Sequence, residues 1–193
     1  MAIGERVYLL MLALVAGERV FELSLSSRNA RRAFARGGIE SGHAHYRVMV
    51  VVHAAFLVSC AAESLLYRRA VAPALSIGVL AAAILAQLLR YAAVASLGER
   101  WNTRIIATPC EPPITHGLYR WVRHPNYVAV AIEIAALPLI RAAWFTAILF
   151  SIANALLLAV RIPAEERALG SGYKAAFGGR PRFVPGLRPM RDG

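Results

Sequence analysis

Apolar residues in this chain gather into long runs divided by short polar segments. Five runs approach the length of a bilayer crossing, about 20 residues at 1.5 Å each. They cover residues 6–23, 48–66, 71–97, 125–140 and 142–160. The pattern predicts an all-α integral membrane protein with about five transmembrane helices, built as one domain over 1–193. Only a few residues join the second and third runs. Pro138 and Arg141 mark an equally tight turn between the fourth and fifth. Each pair is therefore expected to fold as a helical hairpin, the second at the C-terminal end. Pro125 opens the fourth run, and proline suits a first helical position because its missing N–H has no intrahelical partner there.

The polar segments differ in character. Residues 26–36 carry Arg28, Arg31, Arg32 and Arg36 at near-helical spacing and end at Gly37-Gly38. They read as a separate basic helix lying flat among headgroups. Glu40, His43, His45, Tyr46 and Arg47 form a polar cluster before the second run. Histidines two apart are poor helical metal ligands, so the cluster reads as a loop at a site entrance. The connection 98–124 is long and polar, and Pro109, Pro112 and Pro113 exclude a continuous helix. Loops of this length are commonly functional. The tail, 161–193, is basic and rich in Gly and Pro.

Composition supports the membrane reading. Apolar residues make up 58% and charged residues 17%, against about 25% charged in soluble domains. The N-terminal run has the outline of a signal peptide. The apolar pattern resumes at Val20, Phe21, Leu23 and Leu25, however, and further runs follow, which favours a first span. The net charge of +11 sits in loops beside apolar runs and forms no single basic domain. It points to anionic headgroups and excludes a nucleic-acid partner. With the N-terminus outside, sixteen Lys and Arg residues fall on the side holding 98–124 and the tail, and four on the other. The positive-inside rule then puts loop and tail together in the cytoplasm. Cys60 and Cys110 form no C-x-x-C, so neither a disulfide framework nor a metal site is expected. No prenylation box ends the chain.

Charged residues inside apolar runs need partners. Glu18 and Glu22 share a helical face and flank Arg19; local pairing at the interface is the expectation. Gln87 and Arg90 share a face of the third run, with His53 and Glu63 as candidate neighbours. Glu133 on the fourth run lies below the polar loop. It is expected to pair with Arg90, the alternative being that it takes a proton from a bound hydroxyl.

Two polar runs carry the chemistry. Residues 114–127 offer His116, Tyr119, Trp121, Arg123, His124, Asn126 and Tyr127. Residues 161–167 offer Arg161 and Glu165, four apart and on one face if the fifth helix continues inward past Pro163. A guanidinium fork beside a carboxylate suits a site that handles one anion and one cation. No nucleophile elbow, phosphate loop or dinucleotide fingerprint is present. This favours transfer between two bound ligands, with the protein supplying position and charge.

The runs Gly117-Leu118-Tyr119, Arg123-His124-Pro125-Asn126-Tyr127 and Arg161-x-x-x-Glu165-Glu166 resemble the isoprenylcysteine carboxyl methyltransferase family. The resemblance covers roughly 101–185. It implies a membrane enzyme using S-adenosylmethionine, with a cytoplasmic cofactor pocket formed by Arg104, Glu111, Pro112, Pro113, Ile114, Tyr119, His124, Pro125, Asn126, Tyr127 and Glu165. The family more often has an uncharged side chain at the position of Arg104. Arg161 and Glu165 would be the catalytic pair, with Arg161 orienting an acceptor anion and Glu133 nearby on the acceptor side. The run S-x-R-N-x-R and the motif V-x-I-E-I-A-A-L-P-L resemble a bacterial branch, some of whose members O-methylate lipids such as alkylpyrones and phenolic polyketides, which implies a bacterial inner membrane. The acceptor is thus expected to be a lipophilic small molecule or a prenylated chain. Phospholipid N-methylation and a sterol-type reduction using NADPH are the competing enzyme readings; a non-catalytic membrane scaffold is a third class. Oligomeric state is left open.

Overall fold

The computed structural model describes residues 4–67, 69 and 71–184. Arg68, Pro185, Arg188 and Arg191, used in the sequence reading, lie outside them. The chain is all-α, with one short ribbon. The helices are α1 (Glu5–Ala35), α2 (His43–Tyr67), α3 (Pro73–Leu97), α4 (Pro125–Leu139), α5 (Trp144–Ala168) and α6 (Gly170–Phe177). The strands are β1 (Ile39–Ser41) and β2 (Ile105–Ala107). Packing runs α3 on α4, α4 on α5 and α5 on α2.

Several expectations are corrected. The polar cluster before the second run is not a loop, because Glu40 lies in β1 and His43, His45, Tyr46 and Arg47 form the first turns of α2. The basic segment 26–36 is no separate helix, because α1 is one helix of 31 residues. Nothing between Leu23 and Ser26 stops it, since no Gly or Pro intervenes. It ends at Arg36, followed by Gly37 at φ +80°. Likewise α5 does not end at residue 160. It runs through Pro163 to Ala168, so Arg161 and Glu165 sit on a helix and not in the tail. The long connection 98–124 is not wholly irregular either. β2 lies within it and pairs antiparallel with β1, Glu40 opposite Ile106. Strands of three residues are too short for an alternating pattern to announce them.

Among the described residues, three helices are long and apolar enough to cross a membrane: α2, α5 and α3 with the turn that follows it. α4 is apolar but has only 15 residues, and α1 carries Glu18, Arg19 and Glu22 in its middle. Glu22 is buried and Glu18 and Arg19 are half-buried, facing α3 and α4. Arg19 donates to Glu22 at 2.7 Å and to Gln87 at 3.2 Å. Gln87 donates to Glu18 at 2.5 Å. Arg90 donates to Glu133 at 2.7 Å and to Glu22 at 3.4 Å. Local pairing alone would not have linked three helices.

Glu63 is not a neighbour of Arg90, contrary to the sequence reading. It caps the start of α5, accepting from the Thr146 N–H at 2.7 Å and the Phe145 N–H at 3.2 Å. It also accepts from the Thr146 hydroxyl and from Arg69, each at 2.7 Å. A carboxylate at a helix N-terminus satisfies orphan donors and complements the dipole. Beside it, Tyr8, Leu12, Phe56, Cys60, Ile134, Leu137, Ile140 and Phe150 form an apolar core. A second core packs Tyr119, Tyr173 and Phe177 against Ala93 of α3. It lies where 98–124 meets α6, at the end of the molecule opposite the Glu63 cap.

Replacing Glu63 by Ala takes the acceptor from the Thr146 and Phe145 N–H groups at the start of α5, while the Thr146 hydroxyl keeps Ser59 at 2.9 Å. Unfolding followed by heating in detergent should show a loss of about 1–3 kcal/mol.

Candidate active site

A cavity of about 570 Å³ opens between α1, α2, α4, α5 and the connection 98–124. Its wall is built from a chain of hydrogen bonds centred on Arg161, which is 4% exposed. Arg161 Nε donates to the Tyr127 hydroxyl at 3.0 Å. Its Nη2 donates to the Thr103 carbonyl. The Tyr127 hydroxyl in turn donates to Glu165. Tyr127 belongs to the first turn of α4, and Arg161 and Glu165 to successive turns of α5. One phenol thus ties the beginning of α4 to the C-terminal turns of α5. Arg161 Nη1 is buried with no hydrogen-bond partner among the described residues, and so is Asn126 Oδ1. Both side chains line the cavity.

Thr103 is fixed from α1. The Ser26 hydroxyl accepts from the Thr103 N–H at 3.0 Å and donates to Asn102 Oδ1 at 2.7 Å. Asn29 donates to the Trp101 carbonyl at 2.8 Å. Farther along the connection, Glu111 pairs with Arg36 at 2.9 Å and Arg100 at 3.1 Å. The inner turns of α1 thereby hold the loop that presents a carbonyl to Arg161.

His124 is closed in from the tail side. Its Nε2 lies 3.1 Å from Glu166, and its ring stacks on Tyr127 with centroids 5.3 Å apart. Its N–H donates to the Arg182 carbonyl at 3.1 Å, while Arg182 pairs with Glu166 at 2.7 Å. Arg180 donates to the Tyr119 carbonyl at 3.0 Å. Gly117, at φ +60°, precedes this turn, and a Cβ there would meet Ser96 Oγ at 2.3 Å. Glycine is therefore required twice over, by backbone and by space. Burial raises the Tyr119 phenol above its ordinary value, with the Glu165 charge adding to the rise. Burial and then Glu165 raise Tyr173 in the same way. Both rings stay protonated at neutral pH.

Of the residues singled out from sequence, Arg104, Glu111, Pro112, Pro113, Ile114, Tyr119, His124, Asn126, Tyr127, Arg161 and Glu165 all line this one cavity. Pro125 is buried beneath it and does not line it. Glu133 is absent from the lining as well and accepts from Arg90. Arg104 is engaged by Glu40 at 3.3 Å and lies over the Tyr46 ring. His43 and His45 do not line the cavity; His43 lies 3.2 Å from Glu40. Among the described residues no cluster suits a metal ion. Sequence reasoning missed Ser26, Asn29, Thr103, Tyr173 and Arg180. Thr103 acts through its backbone, which leaves no mark in the sequence.

The family model for the isoprenylcysteine carboxyl methyltransferase family matches residues 79–171. The match spans α3, the polar connection, α4 and the arginine–glutamate turn of α5. The chain belongs to this family. The match begins earlier in the chain than the motif resemblance, within α3, and stops at residue 171, short of the resemblance's end at 185. Members are membrane methyltransferases, and the cavity lies inside the matched segment and the helices packed on it. Over 163 residues the chain is 37% identical to the uncharacterized protein YpbQ of Bacillus subtilis, covering 84% of this chain and 96% of that one. It is 30% identical over 158 residues to an uncharacterized protein of Haemophilus influenzae, covering 81% and 91% respectively.

Tyr127→Phe removes a hydroxyl that accepts from a buried guanidinium and donates to a carboxylate. Thermal unfolding in detergent should register a loss of about 1–3 kcal/mol. An unchanged midpoint would show that the bridge does not hold α4 to α5.

Proposed function

We propose that this chain is an integral membrane O-methyltransferase dependent on S-adenosylmethionine. It would act on an anionic oxygen of a lipophilic acceptor, either a prenylcysteine carboxylate or an alkylpyrone or phenolic lipid hydroxyl. The observation that carries this reading is the Arg161–Tyr127–Glu165 chain on the cavity wall, with Arg161 buried and its Nη1 without a partner among the described residues. A free guanidinium donor beside a held carboxylate offers one place for an anion and one for a cation. In this reading α1, α4 and the three long apolar helices all cross the bacterial inner membrane. The N-terminus is outside, and the connection and tail face the cytoplasm.

The residues present fit the cofactor. Asn126 presents a buried, unpartnered amide oxygen that suits an ammonium donor. Glu165 suits a positive centre or ribose hydroxyls, and the neutral rings of Tyr119 and Tyr173 provide flat apolar walls. Bound there, the cofactor supplies an electrophilic methyl group on a sulfonium. Arg161 then orients the acceptor oxygen and offsets its charge, in a site where low dielectric strengthens that attraction. Glu111, Pro112, Pro113 and Ile114 close one edge, and Arg36 and Arg100 hold that edge through Glu111. An anionic acceptor needs no strong base, in keeping with the pairing of Glu133 to Arg90. A cationic or amine acceptor would meet Arg161 unfavourably.

The test uses purified protein in detergent with labelled S-adenosylmethionine, offered a farnesylcysteine analogue and, separately, an alkylpyrone. One of the two should be labelled. Arg161→Ala should cut transfer by about 10²–10³-fold while cofactor affinity changes little. Glu165→Ala should instead weaken cofactor binding by about 10–100-fold. Binding of NADPH without S-adenosylmethionine would overturn the proposal in favour of a reductase.

A further inference from the structure

The cavity continues past Arg161 into the apolar interior. On α5, Asn154 lies seven residues before Arg161, two turns along the same face and about 10 Å away along the axis. Both side chains line the cavity. Leu157 and Leu158 lie between them on the helix, and Val130 of α4 and Leu57 of α2 complete an apolar wall. Asn154 is 4% exposed, and among the described residues its amide makes no hydrogen bond. The amide atoms are open to the cavity and no group among the described residues engages them, so a ligand lying there meets them directly.

A second polar group faces the same space. His53 of α2 lines the cavity. One of its ring nitrogens bonds to the Met49 carbonyl at 2.8 Å, and the other has no partner among the described residues. The charged ends of Arg19, Glu22 and Arg90 are engaged with one another and with Glu133. Asn154 and His53 are thus the neutral groups left to meet a ligand at that depth.

We propose that Asn154 and His53 form a second recognition point for the acceptor. The lipid they select carries a neutral keto or hydroxyl oxygen about 10 Å along its chain from the oxygen held at Arg161. This rests on the acceptor orientation proposed above. The Asn154 amide donates to a keto oxygen or accepts from a hydroxyl. A plain alkyl chain leaves it unpaired, and a site with buried polar groups rejects a ligand that cannot pair them.

The test measures binding to the full chain in detergent micelles. The probes are hexadecanoic acid and a series of keto-hexadecanoic acids with the keto group moved stepwise along the chain. Thermal shift and competition give the affinities, and labelled S-adenosylmethionine binding is measured on the same preparation. The wild-type protein should bind the isomer with its keto group about 10 Å from the carboxylate roughly tenfold tighter than hexadecanoic acid. Asn154→Leu should erase that preference while retaining hexadecanoic acid and the cofactor; Asn154→Ala repeats the measurement should the leucine variant not fold. A wild-type protein indifferent to the keto group, or a variant that keeps the preference, overturns the proposal. Cofactor binding with no acid bound at all overturns the orientation at Arg161 together with this subsite. A keto preference without cofactor binding overturns the methyltransferase reading alone.

Discussion

A guanidinium buried among helices of this apolarity must have its donors satisfied, and Arg161 imposes that demand on everything near it. Two of its nitrogens are met, one by the Tyr127 hydroxyl and one by the Thr103 carbonyl. Each partner is itself fixed. Tyr127 stands in the first turn of α4 and donates onward to Glu165. Thr103 is clamped by Ser26 of α1. Four distant parts of the chain are therefore brought to one point by the hydrogen-bonding needs of one side chain. The third nitrogen, left without a partner among the described residues, is the difference between a structural arginine and one available to a ligand.

The same constraint acts deeper in the helices. Glu18, Arg19 and Glu22 of α1, Gln87 and Arg90 of α3, and Glu133 of α4 form one connected network. Buried charges are tolerated only when paired and hydrogen-bonded. Tyr8 and Leu12 pack the first turns of α1 into the apolar core with α4, and this network ties the middle of α1 to α3 and α4 beyond that core. It also leaves the inner turns of α1 aligned over the polar connection, where Ser26, Asn29, Arg32 and Arg36 grip it. Core and site are joined by the same helix.

α5 carries both ends of the site on one face. Pro163 interrupts its hydrogen-bond ladder, yet the helix continues to Ala168. The turns beyond the proline are held from outside. Glu165 takes the Tyr127 hydroxyl, and Glu166 takes His124 and Arg182. External bonds at two successive carboxylates compensate for the one that proline removes.

The sequence by itself determined the helical class, the apolar runs and the two polar motifs, because each is a local pattern of period, charge or turn chemistry. The motif residues from Arg104 to Glu165 were legible because their side-chain types are unusual between apolar helices. Glu133 beside Arg90 was legible because a charge in such a helix needs an opposite one. Only the tertiary structure decided that α1 is continuous, that β1 pairs with β2, that Glu63 caps α5, and that Pro125 lies under the cavity while Thr103 presents its carbonyl. Those outcomes depend on which distant groups meet, and a backbone carbonyl or a three-residue strand carries no residue type that announces its partner. Long-range hydrogen bonding selects among local possibilities that the chain leaves equal.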